Sequence, residues 1–185
     1  PMILATPWRL LCHLPAPGAW NMAVDDAILE AAAAGESPPT LRLYAWEPAC
    51  VSLGLAQPKR DIDADALRRN GWDLVRRPTG GRAILHTDEL TYAVIAPGGE
   101  ALVRGGVLES YNRIAQTLLA ALERLALPAR AEGQYNLPAG ANRSGPVCFE
   151  VPSNFEITVE GKKLIGSAQA RRRGGVLQHG TLPLH

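Results

Sequence analysis

The sequence has few cysteines and no long apolar run. Its three cysteines, Cys12, Cys50 and Cys148, lie far apart and form no C-x-x-C pair. An odd number of scattered cysteines favours a reducing compartment over a disulfide-bonded scaffold. No apolar run reaches the ~18 residues that a membrane-spanning helix needs, and the opening PMILATPWRLL lacks the charged start and long apolar centre of a secretory signal. These absences predict a soluble, cytoplasmic protein with no membrane segment.

A strong charge of either sign is also missing. Nineteen Lys and Arg residues against 18 Asp and Glu give a formal net charge of +1, without the basic excess typical of nucleic-acid-binding proteins. With 185 residues, 46% of them hydrophobic, the chain is long enough to form a substantial core. We therefore expect one domain over residues 1–185 that binds neither nucleic acid nor membrane.

Lysine is scarce, with three residues against sixteen arginines, and Lys162 and Lys163 are adjacent. The lysine ammonium is compact and its pKa falls readily on burial, whereas the guanidinium stays charged. A site that needs a point charge or a movable proton would therefore favour lysine, although a solvated surface hairpin is the alternative. Close behind the pair, the small residues Gly166, Ser167 and Ala168 allow a ligand or a neighbouring strand to approach.

Three segments show helical patterns. GAWNMAVDDAILEAAAAGESPP predicts a helix with Asp25 and Asp26 in its first turn. DIDADALRRNG predicts a short helix with Asp61 as N-cap and Gly71 just past its end. Apolar residues at helical spacing predict a long helix over about residues 106–125.

The remaining patterns favour strands. TLRLYAW alternates as a half-buried strand does, with Leu41, Leu43 and Ala45 on one face. CVSLG, WDLVRR, RAILH and ELTYAVI predict further strands, and NFEITVEGKKLIGSAQ predicts a hairpin that turns at Glu160 and Gly161. Because helices and strands mix without a regular β-α-β order, the pattern indicates an α+β domain rather than a doubly wound fold.

The segment RRPTGGRAILH contains the first candidate binding loop. Adjacent glycines let backbone N–H groups approach a carbonyl or phosphate oxygen. Arg76 and Arg77 precede this TGG loop (Thr79, Gly80 and Gly81), and His86 ends the strand that follows. The spacing matches neither G-x-G-x-x-G nor a P-loop, so it predicts no nucleotide fold, and a tight structural turn is the alternative.

Cys148 is a candidate nucleophile, because it follows a stretch rich in Gly, Pro, Asn and Ser where a thiol can be accessible. A nearby lysine or histidine would lower its pKa and favour the thiolate. The alternative is a buried, inert cysteine. No metal site is expected, since the four histidines and Cys148 lack metal-ligand spacing: His13, His86, His179 and His185.

Taken in order, several motifs resemble one family. NMAVDDAILE, VSLGLAQ, VRRPTGGRAILH with ELTYAVI, CFEVPSNFEITVEGKKLIGSAQ and LQHGTL are similar to the lipoate-protein ligase A/B and biotin ligase superfamily over about residues 20–184. The chain most resembles the octanoyl-[acyl-carrier-protein]:protein N-octanoyltransferases within it. ATP-dependent lipoate ligases have a third loop glycine where this chain has Arg82, and an aspartate after the loop histidine where it has Thr87.

The resemblance implies a mixed β-sheet flanked by helices, as in the catalytic domains of biotin and lipoate ligases. It also implies that Cys148 is the nucleophile, that Lys163 contacts the acyl carbonyl, and that no cofactor or metal takes part. The implied substrate-binding residues lie in the TGG loop, the GSAQ segment and the His-Gly strand: Arg76, Thr79, Gly80, Gly81, Arg82, His86, Gly166, Ser167, Ala168 and His179.

The implied activity is octanoyl transfer through a cysteine thioester in lipoate biosynthesis. The donor would be octanoyl-acyl carrier protein, the acceptor a lipoyl-domain lysine on the glycine cleavage H protein or an E2 subunit, and the enzyme a monomer. His86 and Lys163 both stay open as the proton acceptor for that lysine. Alternatives are an amidotransferase from H protein to E2, an ATP-dependent lipoate ligase and a non-catalytic lipoyl-domain-binding subunit. The resemblance also leads us to expect a native chain that continues past His185.

Overall fold

The computed structural model describes residues 6–131 and 157–184. The helices are α1 (Gly18–Ala33), α2 (Ala64–Asn70) and α3 (Val107–Arg124), with a 3-10 turn at Lys59–Asp61. The strands are β1 (Arg9–Cys12), β2 (Thr40–Tyr44), β3 (Cys50–Leu53), β4 (Asp73–Arg76), β5 (Ile84–His86), β6 (Glu89–Pro97), β7 (Arg130–Ala131), β8 (Ile157–Val159), β9 (Lys162–Arg172) and β10 (Gly175–Pro183). No helix in these described ranges is long and apolar enough to cross a membrane.

Two mixed sheets form the framework. The larger has seven strands in the order β1-β2-β6-β10-β9-β8-β7, with β1 and β2 parallel and the other neighbours antiparallel. The smaller has the order β4-β3-β5, with β3 parallel to β4 and antiparallel to β5. The predicted α+β architecture, a mixed sheet flanked by helices, is confirmed.

Helices α1 and α3 cover opposite faces of the large sheet. Because neighbouring strand residues point to opposite faces, Ile95 of β6 packs with α1, whereas Val94 packs with α3. Helix α3 buries Ile114 and Leu122, and the Glu109 side chain accepts a hydrogen bond from the Gly106 N–H at its start. The predicted long helix is confirmed, and the sheet between the two helices is buried on both sides.

Strand β2 differs from its predicted half-buried pattern. Leu41 and Leu43 pack toward α3, but the opposite face, with Arg42 and Tyr44, is completely buried under α1. A polar face can be buried here because Arg42 forms a 2.7 Å ion pair with Asp25 of α1. That carboxylate lies two turns into α1, which begins at Gly18, so the prediction that it belongs to the first turn is wrong, and Asp26 is displaced with it.

The ends of α2 show one wrong and one confirmed prediction. Asp63, not Asp61, is the N-cap, since its carboxylate accepts hydrogen bonds from the N–H groups of Asp65 and Ala66. Asp61 lies in the preceding 3-10 turn. Gly71 ends the helix in the left-handed region at φ 65°, as predicted.

The predicted β8–β9 hairpin is confirmed, with Glu160 (φ 51°) and Gly161 (φ 75°) at the turn. A β-bulge follows in β9, because Ile157 pairs with Ile165 but Thr158 pairs with Lys163. Strand β9 therefore has one residue more than β8 between these two pairs.

The cap assignment predicts a difference between two neighbouring aspartates. Asp63→Ala should lower the free energy of unfolding by about 1 kcal/mol, because it leaves two helix N–H groups without their acceptor. Asp61→Ala should change it by less than about 0.5 kcal/mol. Urea unfolding of both variants measures this, and equal losses would contradict the assignment of Asp63 as the cap.

Candidate active site

A cavity of about 280 Å³ lies where the small sheet faces strands β9 and β10 of the large one. Its walls combine apolar side chains, glycines and a few polar groups: Met22, Tyr44, Trp46, Ser52, Arg77, Gly80, Gly81, Ile84, His86, Thr91, Gly166, Ser167, Ala168, Gln169, His179, Gly180 and Thr181. Concave, mostly apolar sites with a few convergent polar groups are typical of small-molecule binding. This volume lies near the lower end of the ~300–1,000 Å³ usual for such sites.

The buried guanidinium of Arg77 fixes the TGG loop against β3. It donates hydrogen bonds to the carbonyl oxygens of Gly80 (2.8 Å) and Arg82 (2.7 Å) on one side and of Ser52 (2.8 Å) on the other. The loop also approaches β3 so closely that a Cβ on Gly54 would overlap with the carbonyl oxygen of Gly81. This wall of the cavity is therefore preorganised by backbone contacts.

His86 lies at the centre of a buried polar chain. Its Nε2 lies 2.7 Å from the Ser52 hydroxyl oxygen and its Nδ1 2.7 Å from a Glu89 carboxylate oxygen. The Trp46 ring stacks on the imidazole at 3.9 Å between centroids. Burial lowers the pKa of His86, a shift that the Glu89 carboxylate opposes and Arg77 adds to. The imidazole is therefore neutral at neutral pH.

A second chain lies on the opposite wall. Thr79 Oγ1 is 2.7 Å from His179 Nε2, and His179 Nδ1 is 3.4 Å from the Asp25 carboxylate. Asp25 also accepts hydrogen bonds from Arg42 (2.7 Å) and the Tyr44 hydroxyl (2.9 Å). The carboxylate is fully buried but paired, which offsets its desolvation.

A sequence profile described as the lipoyl protein ligase A/B catalytic domain matches residues 17–185. The chain belongs to this family. It is 45% identical to an octanoyltransferase LipM of Kyrpidia tusciae and 46% identical to one of Symbiobacterium thermophilum, over 96% and 98% of this chain. The chain spans 66% of the length of each of these relatives.

Solved lipoyl ligase structures share the fold. Protein Ta0514 of T. acidophilum, solved with bound lipoic acid, is 25% identical with a TM-score of 0.77 and aligns over 98% of this chain and 69% of its own. A lipoate-protein ligase A bound with ATP is 26% identical with a TM-score of 0.73, over 98% and 68%. The resemblance to this superfamily inferred from the sequence motifs is confirmed.

Most of the predicted substrate-binding residues of this lipoyl ligase family member come together at the cavity. Seven of the ten line it: Gly80, Gly81, His86, Gly166, Ser167, Ala168 and His179. Thr79 reaches it through its contact with His179. Arg76 and Arg82 are not among the lining residues, and the Arg76 guanidinium instead donates to the carbonyls of Gly54, Leu55 and Gln57. Of the two neighbouring arginines before the TGG loop, Arg77 is thus the one at the cavity.

The β-bulge places Lys163 on the cavity face of β9. Ala168 pairs with His179, which contacts Thr79 of the TGG loop, whereas Ser167 contacts Tyr92 on the α3 side of the sheet. Gly166 and Ala168 therefore lie on the cavity face. Leu164 and Ile165 both pack toward α3 on the other face, as the extra residue of a bulge permits. Lys163 therefore returns to the face of Gly166, whereas an unbulged strand would put it on the face of Ile165.

The predicted nucleophile Cys148 lies outside the described residues. The other two cysteines do not fit that role on the structure, since Cys12 is in the edge strand β1 and Cys50 is completely buried. Burial raises the pKa of Cys50 to about 12, which keeps its thiol protonated. In residues 6–131 and 157–184 no cluster of three or more His, Cys, Asp or Glu is arranged to hold a metal ion.

Close packing around Gly180 explains why the His-Gly motif has a glycine at this position. A Cβ at this position would lie 2.6 Å from the Gly166 carbonyl oxygen and the Ser167 hydroxyl and 2.7 Å from the Tyr92 ring. The Ser167 and Tyr92 hydroxyls lie 2.7 Å apart, and Gln178 donates to Tyr92 at 3.1 Å. This polar contact supports the floor of the cavity from behind β9.

Sequence reasoning missed Ser52, Glu89 and Trp46, and of the two arginines before the TGG loop it selected Arg76 where Arg77 lines the cavity. Ser52 is a lone polar residue within the apolar strand CVSL, and Glu89 follows His86 by three residues. A buried serine inside an apolar strand is a signal that could have been followed. Its partner, however, lies 34 residues further along the chain.

The close contact at Gly54 predicts that Gly54→Ala displaces the TGG loop. Octanoate, used as an apolar probe of the cavity and followed by the fluorescence of the cavity-lining Trp46, should bind about tenfold or more weakly, roughly 1.4 kcal/mol. Gly99→Ala is the matched control, since a Cβ there meets nothing within 4 Å. Unchanged affinity in a folded Gly54→Ala variant would contradict this account of the loop.

Proposed function

We propose that this chain is the catalytic part of an octanoyltransferase that moves an octanoyl group from acyl carrier protein to a lysine of a lipoyl domain through a thioester on Cys148. The observation that carries the proposal is the cavity, which has apolar walls, a glycine-rich floor and Lys163 on the strand face that forms this floor. The relatives named octanoyltransferase LipM support the choice of acyl group.

The cavity fits a short acyl chain. Met22, Trp46 and Ile84 provide apolar contact on the wall, while Gly81 and Gly166 leave space that larger side chains would fill. Burying an acyl chain stabilises the complex by about 0.8 kcal/mol per methylene group.

The first half-reaction is an acyl exchange between two sulfur atoms. The Cys148 thiolate attacks the thioester carbonyl carbon, a new C–S bond forms, and the phosphopantetheine thiolate of the donor leaves. The Lys163 ammonium favours the thiolate and offsets the negative charge that develops on the carbonyl oxygen. Because one thioester replaces another, no ATP is required.

The second half-reaction forms an amide. The amine of the acceptor lysine attacks the enzyme thioester, the C–N bond forms, and the Cys148 thiolate leaves. The expected acceptor is the glycine cleavage H protein or an E2 lipoyl domain, and the scattered cysteines favour a cytoplasmic setting. The rival function is an ATP-dependent lipoate ligase, because structurally similar proteins were solved with lipoic acid or ATP. Against it, this chain has Arg82 in place of the third loop glycine and Thr87 in place of the aspartate that such ligases have.

Intact mass spectrometry after mixing with octanoyl-acyl carrier protein, without ATP, tests the proposal. The wild type should gain a hydroxylamine-labile octanoyl group, Cys148→Ala should gain none, and Cys12→Ala should behave as the wild type. No adduct on the wild type, with lipoylation appearing only when lipoate and Mg-ATP are supplied, would overturn the transferase in favour of a ligase.

The two adjacent lysines provide a matched pair for Lys163. Lys163→Arg should slow formation of the acyl-enzyme by roughly 100-fold, because a guanidinium is larger, planar and a more diffuse charge than the compact ammonium. Lys162→Arg should leave the rate within about twofold, since Lys162 lies on the opposite face of the same strand. Mass spectrometry of samples quenched at successive times gives both rates of acyl-enzyme formation. Equal decreases in the two variants would show that Lys163 has no catalytic role that Lys162 lacks.

A further inference from the structure

The hydroxyl of Ser52, the imidazole of His86 and the carboxylate of Glu89 form a continuous hydrogen-bonded chain that begins at the cavity wall. Both links measure 2.7 Å, and all three side chains are buried. Hydroxyl, imidazole and carboxylate in this order form a relay that moves a proton toward the imidazole. Nothing in the first half-reaction uses it, because a thiolate nucleophile needs no such acceptor.

We propose that Ser52, His86 and Glu89 accept the ammonium proton of the acceptor lysine in the second half-reaction, which frees the amine for attack. The proposal rests on the proposed octanoyl transfer and deepens it. It assigns the deprotonation of the lysine to Ser52 and His86 of the small sheet, supported by Glu89 at the start of β6.

The tautomer of His86 is fixed by its partners. A carboxylate only accepts hydrogen bonds, so Nδ1 carries a proton that it donates to Glu89, and the Nε2 lone pair faces Ser52. The Thr91 hydroxyl donates to the same Glu89 oxygen at 2.7 Å, while the Trp46 N–H donates to Thr91 at 2.8 Å. These contacts hold the carboxylate in place.

Ser52 retains capacity for a substrate amine. A serine hydroxyl has one donor and two acceptor positions. Within the described part of the chain, its proton points to His86 Nε2 and one lone pair accepts from Arg77 Nη1 at 3.1 Å. The second lone pair can accept from an amine N–H, and Ser52 lines the cavity.

The groups around His86 allow the imidazole to accept a proton and to release it again. Burial lowers its pKa, with Glu89 of β6 opposing the shift and Arg77 after β4 and His179 of β10 adding to it. Cys50, which pairs with His86 across β3 and β5, stays a neutral thiol. The imidazolium formed by proton transfer is stabilised by Glu89 and by the stacked ring of Trp46.

The step balances without a co-reactant. The acceptor lysine arrives as an ammonium, and one of its protons passes to Ser52 Oγ while the hydroxyl proton of Ser52 passes to His86 Nε2. The freed amine then bonds to the carbonyl carbon, the C–S bond breaks, and the second nitrogen proton is taken up by the leaving sulfur. The imidazolium releases its proton to solvent, so the products are an amide, a thiol and one proton.

The second histidine chain is less suited to this step. Its histidine lies 3.4 Å from Asp25, compared with 2.7 Å for His86 and Glu89, and Asp25 already compensates the buried charge of Arg42. Ser52, unlike Thr79, lines the cavity directly.

Single-turnover discharge of the isolated octanoyl-enzyme tests the relay. Ser52→Ala and His86→Asn should slow transfer of the octanoyl group to a lipoyl-domain lysine roughly 100-fold more than they slow formation of the acyl-enzyme, as expected for loss of general base catalysis. Ser37→Ala, whose hydroxyl contacts Arg9, should discharge at the wild-type rate. Ser52→Ala should stay folded, because Arg77 keeps its bond to the Ser52 carbonyl.

Two further measurements separate proton transfer from a structural role. Hydroxylamine, a neutral amine at pH 7, should discharge all variants at similar rates. The deficit with lysine should shrink as pH rises toward the ordinary lysine pKa of about 10.4, because the amine then loses its proton to solvent.

The outcomes are distinct. Lysine discharge at the wild-type rate in both variants, or an equal slowing with hydroxylamine, would overturn the relay and leave the octanoyltransferase standing. Failure of the wild type to form any acyl-enzyme would overturn both.

Discussion

The cavity depends on one buried cation. Arg77 joins the backbone of β3 to Gly80 of the TGG loop and to Arg82 just after it, and each hydrogen bond from a charged donor contributes about 1.5–3 kcal/mol. Removing the guanidinium would leave several buried carbonyl oxygens without donors, which costs more than the bonds contribute. The position of the TGG loop, the position of Ser52 in β3 and the shape of the cavity between the sheets therefore all depend on Arg77.

The polar groups that suit the chemistry also hold the two sheets together. Thr79 reaches across to His179 of the large sheet, and His86 of the small sheet reaches Glu89 at the start of β6. Each histidine uses both ring nitrogens, so its orientation is set by one partner on either side. A site built in this way keeps its polar groups in place without a ligand, which reduces the reorganisation that a reaction would otherwise require.

The β-bulge in strand β9 determines which face of the strand bears Lys163. The alternation of an ordinary strand would place Lys163 and Gly166 on opposite faces, since they are three residues apart. The bulge at Leu164 adds one residue, and it brings the lysine to the face that lines the cavity while Leu164 and Ile165 complete the core under α3. Packing and chemistry are thus satisfied by the same extra residue.

The sequence by itself determined the family and most of the helices and strands. Local patterns were enough for the long helix, the turn at Glu160 and Gly161 and the stop at Gly71, because turns and helix ends depend on neighbouring residues. The motifs in their order were enough for the lipoyl ligase fold.

Only the tertiary structure decided which side chains meet at the cavity. Arg77 rather than Arg76 lines the cavity, and Ser52 lines it as well. Glu89 reaches it through His86, and the β-bulge puts Lys163 on the same strand face. The physical reason is that a side chain's face depends on strand register with distant residues, as in the contact of Thr79 with a histidine 100 positions away.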